Sequence, residues 1–279
     1  MNGQHGEFPT EGERLQRSGS DIHYWIAGPD DGPLVACTHG ASMDHRMFDP
    51  QVPPLVAGGY RVLTWDICGH GQSKPIGEEF TVSTVTEDLR ALIDHLGHER
   101  AILIGQSFGG YVSQELTFRY PERVNAIVVI GATDITTLPS RLEGIGLKLS
   151  PYIFKIWPDR HLRKLIAENT AVTPEVQQYA AKATRRLSKQ EFVTVWKAVA
   201  TCLHEETDYR IQQPFLLTHG EYDETGIIAK TAPDWAAREP NCRYEVIPEA
   251  GHNANQDNPE IFNQALLRFL HENVPPSTV

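Results

Sequence analysis

The segment Gly105-Gln106-Ser107-Phe108-Gly109-Gly110 sets a serine between glycines in the pattern G-x-S-x-G. It follows the apolar run AILIG (101–105) and precedes a stretch of helical character from Phe108 to Tyr120, closed by Pro121. A strand that turns at once into a helix holds the serine in a strained backbone conformation and exposes its hydroxyl at a sheet edge. A Cβ at position 105 or 109 would crowd such a turn. The helix N-terminus behind Ser107 favours negative charge. The pentapeptide alone also fits an ordinary glycine-rich turn; its strand–helix setting is what points to a nucleophile.

A hydroxyl is a poor nucleophile without a base. Of the twelve histidines, His252 is the best placed, in Glu249-Ala250-Gly251-His252-Asn253. It follows the strand-like RYEVIP (243–248) and precedes the last helix. His39 directly follows a strand and reads as a buried structural histidine, and His70 lies in a glycine turn. The base needs an orienting carboxylate. Asp223 leads, just after PFLLTHG (214–220); Asp134, after VVIGA at the same sheet edge, and Glu221 are rivals. Each acid taken singly also fits a solvated loop charge or a helix cap. A tetrahedral intermediate would need N–H donors. The amides of Phe108 and of Ala41, which follows LVACT (34–38) and His39-Gly40, are the candidates.

These residues must be held by a regular frame. Strand-like runs at DIHYWIAG (from Asp21), LVACT (34–38), YRVLTWD (60–66), AILIG (101–105) and VNAIVVIGA (124–132) come first. Val85, Leu89, Leu92, Ile93 and Leu96 recur at helical spacing over 83–96. The alternation predicts an α/β fold with a mainly parallel sheet flanked by helices. The rhythm breaks over 133–212, which reads as several helices and no strand. Ser188 and Glu191 form a capping-box pattern there, and Thr173-Pro174 a helix start. The rhythm returns with PFLLTHG, a helix near 227–238, RYEVIP, and a helix over about 258–272. The expected organisation is a core of residues 1–132 and 213–279, with a helical cap inserted at 133–212. Residues 1–13 read as a loose arm and PPSTV as a frayed tail.

The chain has 279 residues, 40% hydrophobic and 22% charged, with a net charge of −11. An acidic chain argues against nucleic acid or an anionic membrane as the main partner. No apolar run approaches the roughly 20 residues of a membrane span. The polar start, MNGQHGEFPTEGERLQ, shows no secretion signal. The four cysteines, Cys37, Cys68, Cys202 and Cys242, form no CxxC pair. Reduced thiols and a cytoplasmic location are expected. There is no HExxH or acidic ligand loop, so neither metal nor cofactor is expected.

Together these features resemble the α/β-hydrolase superfamily, from about residue 14 to 272. His39-Gly40 resembles its oxyanion loop, and Asp66-Ile67-Cys68-Gly69-His70-Gly71-Gln72-Ser73 its D-x-x-G-x-G-x-S turn. Cys68 stands where arginine is common. The chain order Ser107, Asp223, His252 is that of the superfamily's triad. HGASMDHRMF is similar to the corresponding loop of enol-lactone hydrolases and small esterases. Haloalkane dehalogenases and epoxide hydrolases carry aspartate at the elbow, whereas serine implies acyl transfer.

The resemblance implies a serine hydrolase cleaving small or medium esters or lactones, as a monomer or homodimer. The same triad also serves carbon–carbon bond hydrolysis and perhydrolysis, and a hydrolase scaffold can serve as a ligand-binding receptor. Met43, Arg46, Trp157 and Trp196 are the substrate-binding candidates, with His45, Phe48, Tyr152, Phe154, Asn253 and Asn255 nearby in sequence. The aromatics fit core packing equally well.

Overall fold

The computed structural model describes residues 12–17 and 19–276. The arm expected over 1–13 and the end of the PPSTV tail lie largely outside the described residues. The strands are β1 (Glu13–Arg17), β2 (Ser20–Ala27), β3 (Leu34–Thr38), β4 (Arg61–Trp65), β5 (Ala101–Gln106), β6 (Val124–Ile130), β7 (Phe215–Gly220) and β8 (Cys242–Ile247). The helices are α1 (Val52–Ala57), α2 (Val82–His95), α3 (Phe108–Arg119), α4 (Arg141–Ile156), α5 (Asp159–Thr170), α6 (Pro174–Thr184), α7 (Lys189–Thr201), α8 (Ile228–Arg238), α9 (Ala254–Asp257) and α10 (Pro259–Asn273).

The strands make one sheet in the order β1-β2-β4-β3-β5-β6-β7-β8. β2 runs antiparallel to β1 and β4; the other pairings are parallel. Both faces are covered, so alternate residues of one strand enter opposite cores. On β5, Ala101 and Leu103 pack toward α2 and α3. Ile102 and Ile104 pack toward α1 and α10, against Leu55, Phe262 and Phe269.

From β3 the chain steps outward to β4, then crosses back to β5 on the other side of β3. Thr38 pairs with Gly105 at the carboxyl ends of these strands. The loops beyond them part, which opens a crevice at the topological switch point. Four helices, α4 to α7, lie between β6 and β7, and α4, α5 and α7 stand over that crevice. Ser188 and Glu191 do cap α7: Glu191 N–H donates to Ser188 Oγ at 3.2 Å, and Ser188 N–H to Glu191 Oε2 at 2.7 Å. Thr173 stands at the start of α6, but its hydroxyl donates to Asp257 Oδ1 instead of capping the helix.

The sequence reading missed β1 and α1. β1 is the polar, mostly exposed edge strand ERLQR, with no apolar alternation to betray it. α1 carries Pro53 and Pro54 in its first turn, where their missing N–H groups cost nothing.

Candidate active site

Ser107 joins β5 to α3 at φ +51° and ψ −114°, a conformation that L residues seldom adopt. Its N–H donates to Ile130 O at 2.8 Å, which ties the elbow to β6. The flanking glycines are sterically required. A Cβ on Gly105 would lie 2.1 Å from Gly109 O, and one on Gly109 would lie 2.0 Å from Thr38 O.

His252 sits on the loop between β8 and α9, buried. Its Nδ1–H donates to Asp223 Oδ2 at 3.0 Å. A carboxylate can only accept, so this bond puts the neutral ring's proton on Nδ1 and leaves Nε2 as a base. Asp223 Oδ1 accepts the Thr225 N–H at 2.9 Å. Burial works to raise the Asp223 pKa, but His252 and the Thr225 hydrogen bonds outweigh it and hold the carboxyl below the usual range. The His252 loop is itself fixed: Gln106 Nε2 donates to His252 O at 3.1 Å, and Asn253 N–H to Thr170 O at 2.8 Å.

The rival acids are engaged elsewhere. Asp134 accepts from Thr136 N–H and Thr136 Oγ1, both at 2.8 Å, and pairs with Arg238. Glu221 Oε2 accepts the Glu249 N–H at 3.0 Å on an exposed loop. His39 and His70 are fully buried. His39 Nδ1–H donates to Gly40 O at 2.8 Å and its Nε2 accepts the Ile67 N–H at 3.0 Å. His70 Nδ1–H donates to Cys68 O at 3.2 Å and its Nε2 accepts the Ser42 N–H at 3.1 Å.

The amides of Ala41 and Phe108 donate to no backbone group among the described residues. Phe108 N–H opens α3. Ala41 precedes Ser42, whose φ of +68° bends the loop sharply. Ala41, Ser107 and His252 line one cavity of about 610 Å³.

Of the four substrate-binding candidates, Met43 and Trp196 line that cavity, while Arg46 and Trp157 do not. Arg46 is held by Asp44, with Nε 2.9 Å from Oδ1, and its guanidinium lies over the Tyr179 ring. Trp157 is the C-cap of α4, past the last residue of that helix that lines the cavity, and is 40% exposed. His45 stacks on Trp25 and bonds Asp66; Phe48 is core. Tyr152 points to solvent, and Phe154 packs edge-on against Phe192 and Trp196. Asn253 reaches the cavity; Asn255 bonds Met47 O and Gln51.

The sequence reading missed Leu147, Ile166, Phe192, Val199 and Leu203, which form the apolar roof. It also missed Gln106 and Asp257. Asp257 Oδ2 accepts the N–H groups of Gly251 and Val172, so one carboxylate ties the His252 loop to the helical segment above it. Polar residues of this kind carry no local pattern that distinguishes them from solvated ones. Among the described residues, no three His, Cys, Asp or Glu side chains converge as metal ligands would. Nor is any described helix long and apolar enough to cross a membrane.

A family model described as alpha/beta hydrolase fold matches residues 33–259. The chain belongs to the α/β-hydrolase family. This α/β hydrolase is 26% identical to 3-oxoadipate enol-lactonase 1 of Acinetobacter baylyi, over 91% of this chain and 94% of that one. It is 26% identical to the 2-hydroxy-6-oxononadienedioate/2-hydroxy-6-oxononatrienedioate hydrolase of Cupriavidus pinatubonensis, over 80% of each. Its fold matches that of a thermophilic esterase from Thermogutta terrifontis with a TM-score of 0.82, at 21% identity, over 93% of this chain and 98% of that one.

Proposed function

We propose that this α/β hydrolase is a serine hydrolase that cleaves uncharged esters or lactones of small to medium acyl chains through an acyl-enzyme. The observation that carries this is the Asp223–His252 pair at 3.0 Å, set in the wall of the cavity into which the strained elbow presents Ser107. In the proposed cycle His252 Nε2 takes the Ser107 hydroxyl proton as Oγ attacks the carbonyl carbon. The amides of Ala41 and Phe108 receive the developing oxyanion. Collapse expels the alcohol, which takes the proton from His252. Water, deprotonated by the same Nε2, then attacks the acyl carbon, and His252 returns that proton to Ser107 Oγ as the acid leaves. Asp223 keeps the imidazole in the required tautomer and stabilises its charged form.

The lining supports an uncharged substrate. Among the described residues it includes no Lys or Arg, and its one acid, Glu143, pairs with Lys230 at 3.5 Å. A dicarboxylate of the kind named for the Cupriavidus relative would meet no cation there, and burying an unpaired charge is costly. This favours ester or lactone cleavage over carbon–carbon hydrolysis of such acids.

The test is hydrolysis of p-nitrophenyl esters from acetate to decanoate by wild type and Ser107→Ala side by side. Serine-dependent turnover with a chain-length optimum is the expected result. A folded wild type that turns over none of the esters overturns the proposal and directs attention to dienoates or to ligand binding.

A further inference from the structure

The outer face of α4 is apolar and bare. Leu142, Ile145, Leu149, Tyr152, Ile153 and Ile156 are each between 45% and 84% exposed. Their spacing along the 16-residue helix places them in one stripe running its full length. Scattered exposed apolar residues are ordinary, but a continuous stripe marks a surface that is covered in use. Trp157, at the C-terminal end, adds an exposed aromatic.

Charge says what covers it. Arg141, Lys148 and Lys155 recur every seven residues and form a row along one edge of the stripe. The only acid on α4 is Glu143, on the inner side, so the helix carries +2 in a chain of −11. Long basic side chains beside an apolar stripe that carries a Tyr are the arrangement of a helix lying in a lipid interface. A second copy fits less well: in an antiparallel pair of α4 helices the three cations would face their own counterparts with no acid between them.

We propose that the outer face of α4 docks on a lipid surface bearing anionic headgroups. The chain's overall charge points away from such a partner; the local sign on α4 reverses that expectation. The inner face of the same helix, through Leu147 and Ser150, lines the catalytic cavity. Docking therefore sets the cavity roof against a store of apolar, water-insoluble substrate.

The test is flotation with vesicles of phosphatidylcholine alone and of phosphatidylcholine mixed with phosphatidylglycerol. Wild type and Ser107→Ala are expected to float equally with the mixed vesicles and less with phosphatidylcholine alone. Leu142→Glu/Ile156→Glu and, separately, Lys148→Glu/Lys155→Glu are expected to bind about tenfold more weakly or less. Both pairs are expected to hydrolyse a dissolved p-nitrophenyl ester at the wild-type rate, since none of these side chains lines the cavity. Wild type that never floats overturns the proposal. So does a wild-type dimer in light scattering that Leu142→Glu/Ile156→Glu turns into monomers while vesicle binding is absent. Binding indifferent to both the lysines and phosphatidylglycerol overturns the headgroup assignment. Flotation is read without turnover, so an absence of esterase activity would count against the proposed reaction and not against this surface.

Discussion

His70 Nε2 accepts the N–H of Ser42 at 3.1 Å, and Ser42 directly follows Ala41. The Nδ1–H bond to Cys68 O fixes the tautomer that makes this possible. A histidine from the loop after β4 thus holds the bend beside the Ala41 amide, the proposed oxyanion donor. His70→Ala is expected to lower kcat about 10- to 100-fold, less than loss of an oxyanion donor outright, with KM nearly unchanged. His70→Gln, whose amide oxygen can accept the same N–H, should recover part of the rate. Steady-state kinetics on one soluble ester reads both. A fall in KM-related binding alone would place His70 outside this role.

Two buried aspartates stand at neighbouring strand ends, and their partners separate them. Asp223→Asn removes the acceptor that sets the His252 tautomer, so kcat should fall by about 10⁴. Asp134→Asn should leave kcat within a few-fold of wild type but destabilise the fold by about 1–3 kcal/mol, because Arg238 and Thr136 lose a charged acceptor. Urea unfolding and kinetics on the two variants give opposite patterns, or the assignment of the acid is wrong.

Acid should weaken this protein from about pH 6.5 downward, with two buried histidines outweighing Asp49, whose pKa burial lifts to about 6 so that its proton uptake works the other way. Burial pulls the His70 pKa from 6.5 down to about 3 and lowers that of His39 in the same direction. Between those values the unfolded chain binds protons that the folded one does not. Stability is therefore full above about pH 6.5 and falls as pH drops toward about 3. The slope is at most about 1.4 kcal/mol per pH unit for each histidine. Asp66 adds a loss at lower pH. Burial alone would raise its pKa, but bonds from His45 and Gln72 hold it near 2, so its contribution fades as pH falls from 3.8 toward that value. Urea midpoints measured from about pH 7.5 to about pH 5 should decline steadily, and less steeply in His70→Gln. A flat profile would contradict the buried neutral histidines.

Trp196 fills part of the cavity roof, with its indole N–H on Ser150 Oγ at 2.8 Å. Trp196→Ala should enlarge the cavity and move the preferred p-nitrophenyl ester toward longer chains. Trp157→Ala, outside the lining, should leave the preference where it was. Arg46→Ala should also leave it, but should lower the melting temperature by stranding the buried Asp44 carboxylate. An unchanged optimum in Trp196→Ala would mean that the acyl chain lies elsewhere.

Much of this architecture is legible along the chain because its causes are local. A fully apolar strand, a tight glycine turn and a helix around Ser107 lie within one continuous stretch, and period-two and helical patterns mark most other elements. The polar edge strand β1 escaped because nothing on it is buried enough to impose a pattern. Which acid meets His252 was not local. Asp134 and Asp223 follow strands equally well, and only the packing of the β6, β7 and β8 loops gives one to Arg238 and the other to the imidazole. The same holds over the cavity. Trp157 and Trp196 are equivalent as letters, but Trp157 ends α4 beyond the cavity, while the rotation of α7 about its axis turns Trp196 onto the roof. The rotation of α4 bares its apolar stripe and lines its cations along one side. Residue types set what chemistry was possible; side-chain direction, a property of packed helices and paired strands, decided which residues share a site.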